Sequence, residues 1–424
     1  MRGWSGLWRH PAFVKLWAAE TISVFGSTIG GLALPLLAAK QLNATPAQMG
    51  ILNATATLPW LLIGLFAGVW VDRLRRRPLL IAADVGRALA LSLIPLLWWH
   101  AILRIEVLYL IGLMVGVLTV FFDIAYQSYL PALVGREQIV EGNSKLEVSR
   151  SAAQIAGPGL GGALVQWIGA PLTILVDALS FALSGLLLVW IRSTEPVPPR
   201  AAHERIWRAI GTGLRLIVRH PYLRPLAGYV ATFNLCASIA NALSVLFLTR
   251  ELRLEPAALG LILTIGAPGA LVGALLAGRV TQRYGLGRTL ITMALLGGIG
   301  MTCAPLAAGP APLISALLIG GQFITGLSVV IYNINAISLR QIITPPQLLG
   351  RMNASMRFLI WGTMPIGALL GGLLGEAIGL RPALLVAAGG CLAAVGWLVR
   401  SPLRDLREPP TVQPPDMGVA HAQP

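Results

Sequence analysis

The chain has 424 residues, of which 56% are hydrophobic and only 12% charged, with 32 Lys and Arg against 17 Asp and Glu. A soluble domain carries about 25% charged residues, so this composition excludes an ordinary water-soluble enzyme, and the mean hydropathy of +0.74 points to a bilayer. On a soluble chain the net charge of +15 would suggest nucleic acid; with so apolar a remainder the expected partner is a membrane surface, and no nucleic acid.

At about 20 residues per span, the apolar runs predict twelve transmembrane helices, near 13–38, 49–71, 78–98, 107–129, 147–168, 171–191, 223–248, 257–279, 289–308, 312–338, 353–375 and 382–399. The first run is too long for a cleavable signal and carries Glu20. The expected class is therefore an all-α polytopic membrane protein. Its divisions are an N-terminal six-helix half (1–191), a linker (192–222), a C-terminal six-helix half (223–400) and a disordered proline-rich tail (401–424). The linker carries Arg205, Arg208, Arg215 and Arg219 among Ile206, Trp207, Ile210 and Leu214, a basic amphipathic pattern that predicts an interfacial helix.

Cytoplasmic loops are enriched in Lys and Arg. With the N-terminus inside, the cytoplasmic segments hold 26 of the 32 bases and the outer loops five, Arg87 lying within a span. Both termini are thus expected in the cytoplasm, in a cell inner (plasma) membrane.

His10-Pro11 recurs as His220-Pro221, Gly50 as Gly260, Gly68 as Gly278, Asn143 as Asn353 and Gly161-Gly162 as Gly371-Gly372, each 210 residues on. Spans 2, 5, 8 and 11 each carry a proline followed by small residues: Pro59, Pro158, Pro268 and Pro365. Proline bends helices and small residues let them approach closely in lipid, so these four predict the surface where the halves meet. Two parallel six-helix halves with internal repeats resemble the layout of major facilitator superfamily transporters.

Two motifs make that resemblance specific. Gly68, Asp72, Arg73, Arg76 and Arg77 after span 2 resemble the superfamily's signature loop, although Arg75 stands where the family has a glycine. The second-half copy keeps Arg283 and Arg288 but has Gln282 in place of the acid. The resemblance implies that Asp72 caps a helix N-terminus of the opposite half and that these arginines complete a conformational latch. In span 5, Gly157-Pro158-Gly159-Leu160-Gly161-Gly162 resembles the Gly-Pro-x-x-Gly-Gly motif of exporter (antiporter) branches. The wider texture, including residues 13–27, 83–87, 121–131 and 176–181, is similar to the efflux branch of macrolide and enterobactin exporters.

A carboxylate within the bilayer is costly and is a functional candidate by default. Four qualify: Glu20, Asp84, Asp123 and Asp177. The superfamily's layout lines the cavity with spans 1, 4, 7 and 10, which favours Glu20 and Asp123 as proton-coupling residues, with a charge network involving Arg150 and Lys145 as the alternative. Asp84 and Arg87, three apart on one face, read as a structural ion pair, and Asp177 with Ser180 as a helix-packing group. Helical spacing nominates Ser23 and Ser27 (span 1), Asn234, Ser238 and Asn241 (span 7), and Gln322, Thr325 and Asn333 (span 10) as cavity residues, with Trp60 and Trp361 adding aromatic surface.

The reading that follows is a proton-coupled exporter of small amphipathic molecules such as drugs, macrolides or siderophores, working as a monomer. A facilitator-type importer of a small nutrient is the alternative. No phosphate-binding loop, metal cluster or nucleophile constellation is present in the sequence, and Cys236, Cys303 and Cys391 are scattered. No enzyme activity, metal or cofactor is expected.

Overall fold

The computed structural model describes residues 6–71, 74–134, 138–192, 206–345 and 348–407. Span 1 is α1 (Pro11–Lys40); span 2 is α2 (Pro46–Leu62) continued by α3 (Gly64–Val71); spans 3 to 6 are α4 (Arg76–Trp99), α5 (Ile105–Val134), α6 (Ile139–Ile168) and α7 (Ala170–Val189). The linker contains α8 (Ile206–Arg219). Span 7 is α9 (Leu223–Leu246), and span 8 is α10 (Pro256–Gly266) continued by α11 (Pro268–Tyr284). Spans 9 to 12 are α12 (Leu286–Leu306), α13 (Ala311–Ile343), α14 (Leu349–Ile378), and α15 (Leu380–Ala394) with α16 (Gly396–Val399).

Ten of these spans are long and apolar enough to cross a bilayer. The other two are span 2, interrupted at Ile63, and span 5, whose first turns carry Glu141, Asn143, Lys145, Glu147 and Arg150. Spans 1, 4, 5, 10 and 11 run to 30 residues or more. At 1.5 Å per residue that is about 45 Å, longer than a hydrocarbon core of about 30 Å. Their ends therefore project past the apolar runs from which spans are read. The prolines act in two ways. Spans 2 and 8 break near Pro59 and at Pro268, whereas Pro158 and Pro365 sit inside unbroken helices.

The 210-residue repeat has atomic counterparts. His10 caps span 1 by accepting from the Phe13 N–H at 3.2 Å, and His220 caps span 7 by accepting from Tyr222 at 3.2 Å and Leu223 at 3.4 Å. Gly50 of span 2 packs against Gly372 and Ala368 of span 11, and Gly260 of span 8 against Gly162 and Pro158 of span 5. The two sets of spans thus meet along 2·11 and 5·8.

We call the side carrying the basic loops and both ends of the helical array the basic side, and its opposite the far side. On the far side, further bonds tie the two sets together. Lys40 pairs with Glu255 at 3.4 Å, Arg250 donates to the Ala44 carbonyl at 2.8 Å, and the Ala47 N–H donates to Glu376 at 3.3 Å. On the basic side, α8 docks on the start of span 11, with Ile217 buried alongside Met352 and Met356 and Gly213 against Arg351. Residues 401–407, expected as part of a disordered tail, instead form a turn bonded to the start of span 9: the Leu286 N–H donates to Arg407 O at 3.0 Å and the Gly287 N–H to Leu406 O at 2.8 Å. The first N–H groups of a helix lack partners within it, and this segment supplies them. The rest of the tail lies outside the described residues.

Candidate functional site

A large cavity, about 1310 Å³, occupies the basic-side half of spans 1, 4 and 5. Its wall follows from helical periodicity. Glu20, Ser23 and Ser27 recur at steps of three and four on span 1, as do Asp123, Tyr126 and Gln127 on span 4, and all six line the cavity. Glu20 is 6% exposed. One of its oxygens accepts from Arg150 of span 5 at 3.1 Å, and the other, Oε2, is buried with no hydrogen-bond partner. Arg150 is half-exposed to the cavity. The Tyr126 hydroxyl is likewise buried without a partner. Asp123 is half-buried, has no ion pair among the described residues, and lies in the field of Arg87 and Arg150. Lys145 does not join this network; it pairs with Glu141 at 3.2 Å.

Asp123 and Gln127 also line an adjoining cavity of about 300 Å³ at the seam of spans 2 and 11. Its far wall is the Trp60–Trp361 pair, stacked with centroids 4.6 Å apart, and Arg357 stands beside it. A separate cavity of about 440 Å³ lies in the far-side half and contains Asn241, Gln322 and Thr325 together with Asn53. Thr28 lines both this cavity and the large one.

The cavity residues read from the sequence therefore divide between two spaces. Ser23 and Ser27 belong to the basic-side cavity, Ser23 also donating to the Glu20 main-chain carbonyl at 3.1 Å. Asn241, Gln322 and Thr325 belong to the far-side one. Asn234 donates to Val230 O of its own helix at 2.9 Å, Ser238 is buried against Gly367 of span 11, and Asn333 is exposed. Tyr126, Gln127 and Thr28 were not singled out in the sequence, although Tyr126 and Gln127 follow Asp123 at the helical steps that mark a shared face.

Asp84 and Arg87 form a buried ion pair, Ser184 donates to Asp84 at 2.7 Å, and the guanidinium lies between the rings of Phe122 (4.3 Å) and Phe181 (4.1 Å). Asp177 and Ser180 pack against Gly26 and Gly30 of span 1. In the exporter-type motif, Gly157 and Gly161 face span 1 at Thr28 and Ile29, while Gly162 and the Pro158 carbonyl face Gly260 of span 8.

Of the latch group, Asp72 and Arg73 lie outside the described residues, Gly68 lies in α3, and Arg76 opens span 3. Arg77 donates to the carbonyls of Leu188 (3.0 Å) and Val189 (2.6 Å), the C-terminal end of span 6 within its own half. There a cation is favoured by the helix dipole. Arg283 stands at the end of span 8, 5.7 Å over the Tyr284 ring.

Helices paired in this way are those of a transporter of the major facilitator superfamily, a multi-pass membrane protein that moves small molecules across a membrane. Residues 2–416 match the transmembrane secretion effector family of the superfamily, and the chain belongs to that family. It is 31% identical over 388 residues to the multidrug efflux pump Tap of Mycolicibacterium fortuitum, covering 89% of this chain and 92% of that protein. It is 28% identical over 423 residues to the enterobactin exporter EntS of Citrobacter koseri, covering 95% of each. In fold it is similar to a bacterial homologue of the iron transporter ferroportin in its inward-facing state, with a TM-score of 0.75 at 18% identity over 93% of this chain and 99% of that one.

Proposed function

We propose that this transporter is a proton-coupled exporter of small amphipathic molecules, with both termini and the basic side in the cytoplasm and a single chain as the working unit. Export agrees with the functions of the two relatives, multidrug and enterobactin efflux. Coupling rests on one observation: Glu20 is a carboxylate within span 1, 6% exposed, with one oxygen held by Arg150 and the other buried without a partner at the wall of the basic-side cavity. Taking a carboxylate out of water disfavours its charged form, so Glu20 trades its proton against the Arg150 pair as the cavity opens or closes. Asp123, on the same wall and without an ion pair among the described residues, is the second carrier. The amphipathic substrate would occupy the space between these acids and the Trp60–Trp361 stack. Alternating access then exchanges the contacts along spans 2·11 and 5·8 for equivalents on the basic side.

The test is transport into everted vesicles of dyes, macrolides and siderophores. Uptake by the wild type should collapse with an uncoupler and fall sharply in Glu20→Gln and Asp123→Asn. Uptake that survives the uncoupler, or that both variants retain in full, overturns the coupling.

A further inference from the structure

We propose that the basic-side end of spans 8, 9 and 10 is a binding site for a phosphate group, and that its ligand is the headgroup of an anionic phospholipid in the adjoining leaflet. The site is a cavity of about 570 Å³ walled by Arg283, Arg288 and Arg407, with Thr281, Asn335 and Ser338 also lining it and no Asp or Glu in the wall. None of the three arginines has an ion pair among the described residues.

The cluster is built rather than incidental. Gly285, at a φ of 82°, ends span 8 and turns the chain directly into span 9, which sets Arg283 and Arg288 on either side of the turn. Arg407 arrives from beyond span 12 and is pinned by the bonds from the Leu286 and Gly287 N–H groups to Arg407 O and Leu406 O. A side chain at Gly287 would run into the Leu403 carbonyl, so this docking requires the glycine.

The sequence explains why the charge is uncompensated. Gln282 stands 210 residues after Asp72, so the second-half loop lacks the acid that the first-half loop carries beside its arginines. Three guanidiniums in one pocket repel one another, and an anion from outside the loop relieves that. Guanidinium forks match phosphate oxygens well, and the array stands at the ends of helices long and apolar enough to cross a bilayer. Tyr284, 56% exposed at the rim, has the amphipathic ring suited to that interface.

The test uses the full-length protein in nanodiscs and in detergent, with binding of phosphatidylglycerol measured by native mass spectrometry and by competition. Wild type should prefer phosphatidylglycerol to phosphatidylcholine. The combined variant Arg283→Gln, Arg288→Gln, Arg407→Gln should bind it more weakly by about fivefold per arginine, roughly a hundredfold in all. The triple Arg→Lys variant should retain most of the binding. The control Arg192→Gln, Arg279→Gln, Arg400→Gln, which removes equal charge from scattered exposed positions on the same side, should bind like wild type. Equal loss in that control, or unchanged binding in the first variant, overturns the site. Competition by millimolar inorganic phosphate as effective as the lipid upholds the phosphate pocket and overturns the lipid as its source. Undiminished lipid binding with loss of transport in the first variant overturns the proposal in favour of pairing with Glu147 of the opposite half, an exposed acid at the start of span 5.

Discussion

The Cα of Gly372 in span 11 lies 2.8 Å from where a side chain at Gly50 in span 2 would begin. The Ala368 carbonyl is 2.7 Å from the same point, and Gly162 stands in the same relation to Gly260, its Cα 3.0 Å away. All these neighbours are backbone, which has no rotamer with which to give way. Gly50→Leu should therefore cost about 1–3 kcal/mol and be paid by opening the far side. Transport should fall, and a cysteine placed at Asn241 should label faster from the far side. Gly389→Leu, at a glycine with open space around it, should change neither; equal labelling in both variants would refute the seal.

Arg87 is held in a buried ion pair. Its side chain is 5% exposed, its partner Asp84 is fully buried, and two aromatic rings hold the guanidinium. Arg87→Met strands the buried carboxylate and should cost about 3–5 kcal/mol, seen as a lowered melting temperature in detergent. Adding Asp84→Leu should recover most of that loss, because the uncompensated charge is gone.

Arg150 stands to Glu20 in a weaker version of the same relation, since Arg150 is 45% exposed. Arg150→Ala should cost about 1–3 kcal/mol, and Glu20→Gln in the same chain should restore part of it. A variant as stable as wild type would mean that solvent in the cavity already screens Glu20.

Two groups at basic-side helix ends, beyond the apolar runs, make the basic side sensitive to acid. The Leu7 N–H and then Lys145 hold Glu141 below its ordinary value of 4.5, and burial holds His220 below 6.5. Both pKa values are depressed in the folded state. The stability each contributes is therefore present above its ordinary value and lost as pH falls through the folded value. His220 caps span 7 through Nδ1, an acceptor that protonation abolishes. Hydrogen exchange at Tyr222 and Leu223 should rise as pH drops below 6.5, and at Leu7 only below 4.5, after correction for intrinsic rates. His220→Ala should remove the first step and cost about 0.5–2 kcal/mol. Glu141→Gln should remove the second.

Much of the site was legible because helical spacing is local. Glu20, Ser23 and Ser27 were placed on one face by their steps alone, and Asp84 was paired with Arg87 by the same rule. The grouping of Asn241, Gln322 and Thr325 with them was not legible. Those residues sit in a second cavity, and which depth of two tilted, broken helices shares a space is not encoded in either helix separately. Arg77 was similarly ambiguous: a base at a helix start can reach across to the other half or back to the carbonyl end of a neighbour, and it reaches back.

The sequence by itself determined that the chain is membrane-embedded, that it has twelve spans in two repeats, which side is basic, and which carboxylates fall within the spans. These are consequences of transfer energetics and periodicity, which act residue by residue along the chain. Only the tertiary structure decided that the far side is tied shut by glycine-on-glycine contacts, that Glu20 meets Arg150 with one oxygen left open, and that Arg407 joins Arg283 and Arg288. Those facts depend on how helices distant in sequence pack, and packing is decided by the fit of surfaces that no single segment contains.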